Sequence, residues 1–394
     1  MTEQRLPSFS HVVPAIRIHC GEDCLRQLPA ELDRLGAKRA VIFCGGSIGA
    51  SLELKQVIAA LGARHAGTFA GVRSHSPLPA VLQGAAALRT FEADAVIAVG
   101  GGSAVVSARA SSIALAEGDN LHELCTQFPA SKPPFSPKLS RPKLPQLVIP
   151  TTPTSAYGKA GTAVRDPVAG RRLTLFDPKT RAQALFLHPA MALTAPRELV
   201  LDAALQAFAS AVQGLESRKH ESLADALLMH ALRLSVQHLP NIDGPDAASA
   251  RLELMQAAFL AGQGTDYAPT GIAASLTHSI GARFGVANGG CNALLLPSTL
   301  GFNSKVTLDR MPLIAEALGA GRLSNGAEAL QAASDAIRNL LAAIRAPQRL
   351  RDSGITRDSL QELAGDAMQD WFLHLNPRKV TSPDELLGVL EAAW

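Results

Sequence analysis

The first half of the chain alternates short apolar runs with helical patterns, and this alternation most restricts the folds open to it. Helical patterns such as SLELKQVIAALGA and AVLQGAAALRTFEA separate the apolar runs. Strands that are apolar throughout and alternate with helices form a parallel sheet covered on both faces. The sequence therefore predicts an α/β domain with a parallel sheet. The predicted strands are AVIFCGG (residues 40–46), HAGTFAGV, DAVIAVGGGS (residues 94–103) and LPQLVIPTTPTS.

Helical periodicity dominates after residue 188, as in ELVLDAALQAFASAVQGLES and GAEALQAASDAIRNLLAAI. We therefore predict two domains, an α/β domain over residues 1–188 and an all-helical domain over residues 189–394. Residues 128–145 are rich in Pro, Ser and Lys, which predicts a surface loop, either a solvated insertion or a lid formed by its basic residues. RDPVAGRRLTLFDP predicts a hairpin that turns at Ala169 and Gly170.

Composition excludes several classes of protein. A hydrophobic fraction of 47% over 394 residues is enough for a large core. A formal net charge of +3, with only two Tyr and two Trp, argues against nucleic-acid binding. No apolar run is long enough to cross a membrane, and the start MTEQRLPSFSHVV does not have the pattern of a signal peptide. Five scattered cysteines without metal spacing favour a reduced, cytoplasmic setting.

Two turns carry the strongest chemical pattern. In VGGGS, a strand runs into Gly100, Gly101 and Gly102, and a helix begins near Ser103. Backbone N–H groups at such a helix start can bind a diphosphate, although tight βα turns also use glycine for steric reasons alone. PTTPTS places a second small polar turn after another strand, with Thr151, Thr152 and Ser155 as further candidates for nucleotide contact.

These motifs resemble the iron-containing alcohol dehydrogenase and maleylacetate reductase family. AVIAVGGGSAVVSAR is similar to its cofactor turn, IPTTPTS to its Pro-Thr-Thr turn, and ALFLHPAMALTAPREL to its domain junction. NALLLPSTLGFN and LNPRKVTSPDELLGVLEAAW resemble its later helices, and the closing segment is nearest to the maleylacetate reductase branch. The resemblance covers nearly the whole chain. It implies a Rossmann-like first domain, a helical second domain, NAD or NADP as cofactor, and a homodimer.

The resemblance also shows where this chain departs from the family. Metal-binding members use an Asp and a His four residues apart on one helix, a His on a later helix and a His at the following turn. The matching positions here hold Gln206, Ser210, Ala274 and Asn288. These residue types are poor ligands for Fe²⁺ or Zn²⁺. We therefore expect no metal at this site.

His278 lies four residues after Ala274 and so shares its helix face. In metal-dependent relatives the matching histidine lies beside the metal and is thought to relay protons. The functional interpretation of His278 is a general acid, since imidazole titrates near neutral pH. The alternative is a hydrogen-bonded core histidine.

Other positions depart from the family pattern as well. Arg109 stands where a lysine is common, and it can still meet phosphate. Tyr157 and Lys159 can polarise a carbonyl or simply be exposed. Gly45 ends a strand at a point where an acidic residue could have bound the ribose hydroxyls of NAD. No acidic residue stands there, so NADP is not excluded as the cofactor. His75 either contacts the cofactor diphosphate or is a loop residue at a helix start without a functional role.

The leading hypothesis is a metal-independent, NAD(P)H-dependent reductase of a small carbonyl or enone, with an anionic substrate as maleylacetate is. His278 would donate the proton, and Gln206, Ser210 and Asn288 would line the former metal pocket. The alternative is a repurposed member of the fold that binds a ligand or catalyses a non-redox step such as isomerisation, elimination or condensation.

Overall fold

The computed structural model describes residues 8–129 and 135–394 of the chain. The chain forms two compact units. The sheet unit comprises Ile16–Ala207 and Gln237–Gly262. The helical unit comprises Phe208–Val236, Gln263–Trp394 and the described residues of Met1–Ala15.

Eight strands are present in the described residues, and all of them belong to the sheet unit. They are β1 Arg17–Cys20, β2 Ala40–Gly45, β3 His65–Val72, β4 Ala95–Gly100, β5 Gln146–Pro150, β6 Gly161–Asp166, β7 Arg171–Phe176 and β8 Ala182–Leu187.

Sixteen α-helices occur in the same described residues. The first seven are α1 Leu28–Arg34, α2 Gly46–Gly49, α3 Leu52–Leu61, α4 Leu78–Thr90, α5 Gly102–Glu117, α6 Leu121–Leu124 and α7 Pro189–Leu193. The others are α8 Arg197–Glu216, α9 Ser222–His238, α10 Ala247–Gly264, α11 Ile272–Phe284, α12 Asn288–Thr307, α13 Met311–Ala317, α14 Gly326–Ala343, α15 Leu360–Ala367 and α16 Pro383–Ala393.

The main sheet has six strands in the order β1-β8-β5-β4-β2-β3, and every pair is parallel. The strands β4 and β5 are buried along their whole length, which explains their uninterrupted apolar sequences. One face of the sheet packs on α1 and α3, where Ile42 and Ile97 contact the same core as Leu28 and Val57. The predicted parallel α/β architecture is confirmed.

A glycine sets the close packing on the other face. A Cβ added to Gly84 of α4 would lie 2.7 Å from the Phe43 ring and 2.5 Å from Ser111 Oγ in α5. Glycine therefore lets α4 approach both the sheet and α5. The hairpin β6–β7 covers the same side through Val164 and Leu173. It turns at residues 167–170, as the sequence predicted.

Two strands were not predicted, and the unit boundaries differ from a single division after residue 188. The edge strand β1 has the sequence RIHC and is largely exposed, so it lacks an apolar run. The strand β8 was assigned to the domain junction. The helices α8, α9 and α10 each have residues in both units, so no single cut in the sequence separates the units.

Apart from the isolated pairing of Gln127 with Phe135, the described part of residues 128–145 has no strand or helix. This agrees with the predicted loop, of which residues 130–134 lie outside the described residues. Within the described chain, no helix has the length and apolarity needed to cross a bilayer.

Candidate functional site

The turn between β4 and α5 is shaped by its lack of side chains. Gly100 has a φ of +143°, a conformation that other residues rarely adopt. A Cβ at Gly101 would lie 2.9 Å from Thr152 Oγ1, and one at Gly102 would lie 3.1 Å from Thr154 Oγ1. The glycine turn and the Pro-Thr-Thr turn therefore pack directly on each other.

This packing follows from the sheet, because β4 and β5 are parallel neighbours whose carboxyl ends meet at one edge. The Thr151 N–H donates to the Gly100 carbonyl at 3.1 Å, and Thr151 and Thr152 are both buried. The first N–H groups of α5, including that of Ser103, have no intrahelical partner by geometry. The turn therefore has the form of a diphosphate site.

The loop that carries His75 is strained and tied to the same turn. His75 and Ser76 have φ values of +59° and +46°, in the left-handed region that non-glycine residues rarely adopt. The Ser76 hydroxyl donates to the Ser103 carbonyl at 3.1 Å and accepts from Ser107 Oγ at 3.0 Å. His75 is exposed beside these contacts. Strain of this kind concentrates at functional sites, which agrees with contact between His75 and a cofactor. That contact stays a prediction.

Gly45 and Ser155 lie at the ends of two other segments of the sheet unit. Gly45 ends β2, the neighbour of β4, and precedes α2. Ser155 begins a short 3₁₀ turn, Ser155–Gly158, five residues after the end of β5. Both positions agree with a cofactor role, which stays a prediction.

Arg109 has a different place from the one we expected. Its side chain is fully buried, and its guanidinium donates to the carbonyls of Ala156, Gly161 and Thr180 at 3.0, 2.7 and 3.3 Å. These bonds join α5 to the segments after β5 and before β8. The structure thus gives Arg109 a structural role, and its position lends no support to phosphate contact.

Tyr157 is also built into the core. It is 0% exposed, and its hydroxyl donates to the Met255 carbonyl at 2.5 Å. Burial raises the pKa of Tyr157 well above its usual range. The Tyr157 hydroxyl therefore stays protonated and bonded to the Met255 carbonyl. Lys159 is half-buried two residues further on, and its role stays a prediction.

In the helical unit, His278 forms a hydrogen-bonded pair with Asp370. His278 Nδ1 lies 2.8 Å from Asp370 Oδ2, and the two side chains are 29% and 20% exposed. The Phe372 ring packs edge-on against the imidazole, with 5.5 Å between ring centroids. In the described part of the chain, His278 Nε2 has no hydrogen-bond partner. The arrangement leaves one ring nitrogen available for proton transfer.

Asp370 is surrounded by donors. Burial opposes its ionisation, but hydrogen bonds from His278, the Phe372 N–H and the Ser275 hydroxyl outweigh burial and hold the pKa of Asp370 below its usual range. The Phe372 N–H and Ser275 Oγ lie 2.9 and 3.2 Å from Asp370 Oδ1. Asp370 is therefore a carboxylate at neutral pH.

The start of α11, the helix of His278, is held by side chains. Gln213 Oε1 accepts from the N–H groups of Gly271 and Ala274 at 3.1 and 3.3 Å. The Gln213 amide donates to Asn292 Oδ1 at 3.2 Å. Asn376 Oδ1 accepts from the Ile272 N–H at 3.0 Å. These bonds satisfy helix-start groups that would otherwise be open to a ligand.

The four positions matched to metal ligands lie on three helices. Gln206 and Ser210 are one turn apart in α8, and Ala274 is one turn before His278 in α11. Asn288 begins α12, and its Oδ1 is 2.6 Å from where a Cβ of Gly281 would lie. Asn288 therefore lies against α11, in the same unit as Ser210, Ala274 and His278.

The donor set at these positions does not fit a tightly bound transition metal. Serine, glutamine and asparagine offer only neutral oxygen or nitrogen atoms, and alanine offers none. Within residues 8–129 and 135–394, no three His, Cys, Asp or Glu side chains are grouped so that they could hold a metal ion. Metal independence stays a proposal.

Sequence reasoning missed Asp370 and Gln213. Asp370 is 92 residues from His278, so their contact leaves no local pattern. Gln213 follows Ser210 by three residues on α8, and this helical spacing was the available signal.

Comparison with known proteins gives the family. Residues 14–189 match the description "Iron-containing alcohol dehydrogenase", and residues 200–394 match "Fe-containing alcohol dehydrogenase family, C-terminal". The chain belongs to the iron-containing alcohol dehydrogenase family, as its motifs predicted.

Relatives with assigned activities cover most of the chain. Maleylacetate reductase 2 of Cupriavidus pinatubonensis is 30% identical over 319 residues, which is 80% of each chain. NADPH-dependent butanol dehydrogenase of Clostridium saccharobutylicum is 27% identical over 386 residues, 96% of each chain. An alcohol dehydrogenase structure from Oenococcus oeni superposes with a TM-score of 0.88 at 21% identity, over 98% of this chain and all 100% of that one. These relatives are oxidoreductases, and the structural likeness confirms the fold.

Proposed function

We propose that this protein is an NAD(P)H-dependent reductase of a small carbonyl or enone that works without a metal ion. The observation that carries the proposal is the His278–Asp370 pair, in which Nδ1 is bonded at 2.8 Å and Nε2 is left for substrate. Family membership and the turn at Gly100–Gly102 support it.

The first turn of α5 would hold the dinucleotide diphosphate through its backbone N–H groups, with Thr152 and the strained loop of His75 alongside. When bound, the dinucleotide supplies the hydride that reduces the substrate carbon. His278 would donate a proton from Nε2 to the substrate oxygen, so that hydride and proton together convert a carbonyl into an alcohol. Asp370 keeps the ring oriented while the proton moves.

Without a Lewis acid, charge that develops on the substrate oxygen must be met by fixed donors. The protonated His278 ring is the main donor, and the Ser210 hydroxyl and Asn288 amide are secondary candidates. The maleylacetate reductase relatives support an anionic substrate. The relatives include an NADPH-dependent and an NAD-dependent enzyme, so NADH and NADPH are both candidate cofactors. A homodimer and a cytoplasmic setting stay predictions.

The test is turnover by His278→Gln with NADH and NADPH against a panel of aldehydes, ketones and maleylacetate. We expect turnover to fall about 10²- to 10⁴-fold, the usual contribution of a general acid, while cofactor affinity changes little. His374→Gln is the matched control, because it removes an exposed imidazole of the same unit. Normal turnover in a folded His278→Gln protein would refute the assignment.

A non-redox function is the second candidate, and the joint replacement of the four ligand positions favours it. A lineage that loses hydride transfer has no need of the metal. Dinucleotide titration decides between the two, because failure of NADH and NADPH to bind at millimolar concentration would exclude the reductase.

A further inference from the structure

Asp370 holds two separate sets of contacts, one on each carboxylate oxygen. Its Oδ1 caps the short 3₁₀ turn Trp371–Leu375 by accepting from the Phe372 N–H at 2.9 Å. The same oxygen accepts from the Ser275 hydroxyl at 3.2 Å. A backbone N–H can only donate, so the atom at this position has to be an acceptor.

The other oxygen determines where the imidazole proton lies. Asp370 Oδ2 is 2.8 Å from His278 Nδ1, and an ionised carboxylate can only accept. The hydrogen bond therefore requires a proton on Nδ1. In the neutral ring, Nε2 then carries the lone pair. The Phe372 ring against the imidazole, at an interplanar angle of 63°, restricts rotation of the histidine.

We propose that Asp370 is a positioning residue, which fixes His278 in the Nδ1–H tautomer and makes Nε2 the nitrogen that exchanges a proton with substrate. The tautomer follows from the contacts alone. Its catalytic consequence rests on the proposed reductase function. Asp370 itself acts only through His278. Its lowered pKa agrees with this role, because the carboxylate stays ionised across the neutral range.

The substitution Asp370→Asn separates positioning from capping. The Phe372 N–H requires an oxygen at the Oδ1 position, so the new NH₂ group takes the place of Oδ2 and faces His278 Nδ1. Nδ1 must then accept, which moves the ring proton to Nε2. The cap and the shape are kept while the tautomer is reversed. In serine hydrolases the same exchange leaves geometry intact and lowers turnover by about 10⁴-fold.

The experiment is ¹⁵N NMR of the histidine rings at about pH 9, where imidazole is neutral. The His278 signals are identified by their absence from His278→Gln. We expect protonated Nδ1 in the wild type and in Ser275→Ala, and protonated Nε2 in Asp370→Asn. Reductive turnover of Asp370→Asn should fall about 100-fold or more, with cofactor affinity unchanged. Asp352→Asn is the control, since Asp352 also accepts from backbone N–H groups, at Gln348 and Arg349.

Two results would overturn the inference. The first is a neutral His278 ring protonated at Nε2 in the wild-type protein. This result does not depend on whether any variant folds. The other is Asp370→Asn with the wild-type tautomer and lost turnover, which would make Asp370 a cap alone. A wild type that carries the Nδ1 proton but never oxidises NADH or NADPH would instead refute the proposed function and leave the tautomer assignment in place.

Discussion

The glycine turn of the sheet unit and the His278 site of the helical unit differ in what forms them. The turn presents backbone groups alone, and a Cβ at Gly101 or Gly102 would meet a threonine of the next turn. The His278 site consists of side chains from α11 and from the segment after α15, which are 92 residues apart in the sequence.

The difference determines how each region can change. A backbone site depends on small residues and fixed packing, so its sequence stays recognisable. A side-chain site can change its chemistry while the helices stay in place. Our sequence interpretation assigns Gln206, Ser210, Ala274 and Asn288 to the family's ligand positions.

The largest effect concerns metal. Protein produced in medium supplemented with iron and zinc should contain far less than one ion of either per chain by elemental analysis, because the four positions lack imidazole and carboxylate. Chelation should leave activity unchanged. One ion per chain, removed by chelator together with activity, would show that the side-chain site still binds metal.

The next effect concerns the glycine turn. Gly101→Ala should weaken NADPH binding at least about 10-fold, because the new methyl group meets Thr152 Oγ1 or the diphosphate. The double variant Gly101→Ala with Thr152→Ala removes the first of these collisions. If the double variant still binds NADPH more weakly than Thr152→Ala alone, the dinucleotide itself requires glycine at position 101. Restored binding would mean that glycine serves only the packing of the two turns.

A third prediction concerns Glu216, which is 2% exposed in the helical unit. Burial raises the pKa of Glu216 to about 8, against hydrogen bonds from Asn303 and Thr307. The folded protein therefore keeps a proton that the unfolded chain loses near its ordinary pKa. Stability should fall as pH rises from about 4.5 to about 8, by at most about 1.4 kcal/mol per pH unit, and then level off.

Glu216→Gln should remove this pH dependence and stabilise the protein at pH 8, because an amide reproduces the neutral acid. Urea denaturation at several pH values measures it. Glu362→Gln, at an exposed position of the same unit, is the control. If the free energy of unfolding depends on pH in Glu216→Gln as it does in the wild type, Glu216 is already ionised in the folded protein.

The smallest effect lies next to His278. The Thr277 hydroxyl is buried and, among the described residues, lacks a hydrogen-bond partner. Thr277→Val should therefore stabilise the protein by about 1 kcal/mol without changing turnover. Thr299→Val should destabilise it by about 1 kcal/mol, because the equally buried Thr299 hydroxyl donates to the Leu296 carbonyl at 3.0 Å. Destabilisation by both variants would show that Thr277 has an unrecognised partner.

The sequence predicted the fold better than the site because strands and helices are local patterns. β2 and β4 were found from contiguous apolar runs, whereas β1, an exposed four-residue edge strand, has no such run. His278 was found through family resemblance, but its partner Asp370 was not. Arg109 was expected at a phosphate because it stands where a lysine is common in the family's cofactor helix. In fact α5 is buried on most sides, a property that small residues such as Ala108 and Ala110 do not reveal.

Gln213 fixes the helices around His278 without using the side chains at the three candidate ligand positions of the helical unit. Its amide joins α8, α11 and α12, and Asp370 holds His278 from a fourth segment of the unit. None of these bonds uses a side chain at Ser210, Ala274 or Asn288, since Ala274 contributes only its backbone N–H. Substitutions of the side chains at these three positions therefore leave the bonds of Gln213 and Asp370 unchanged. Residues at those three positions can therefore differ while Gln213 and Asp370 keep His278 in place.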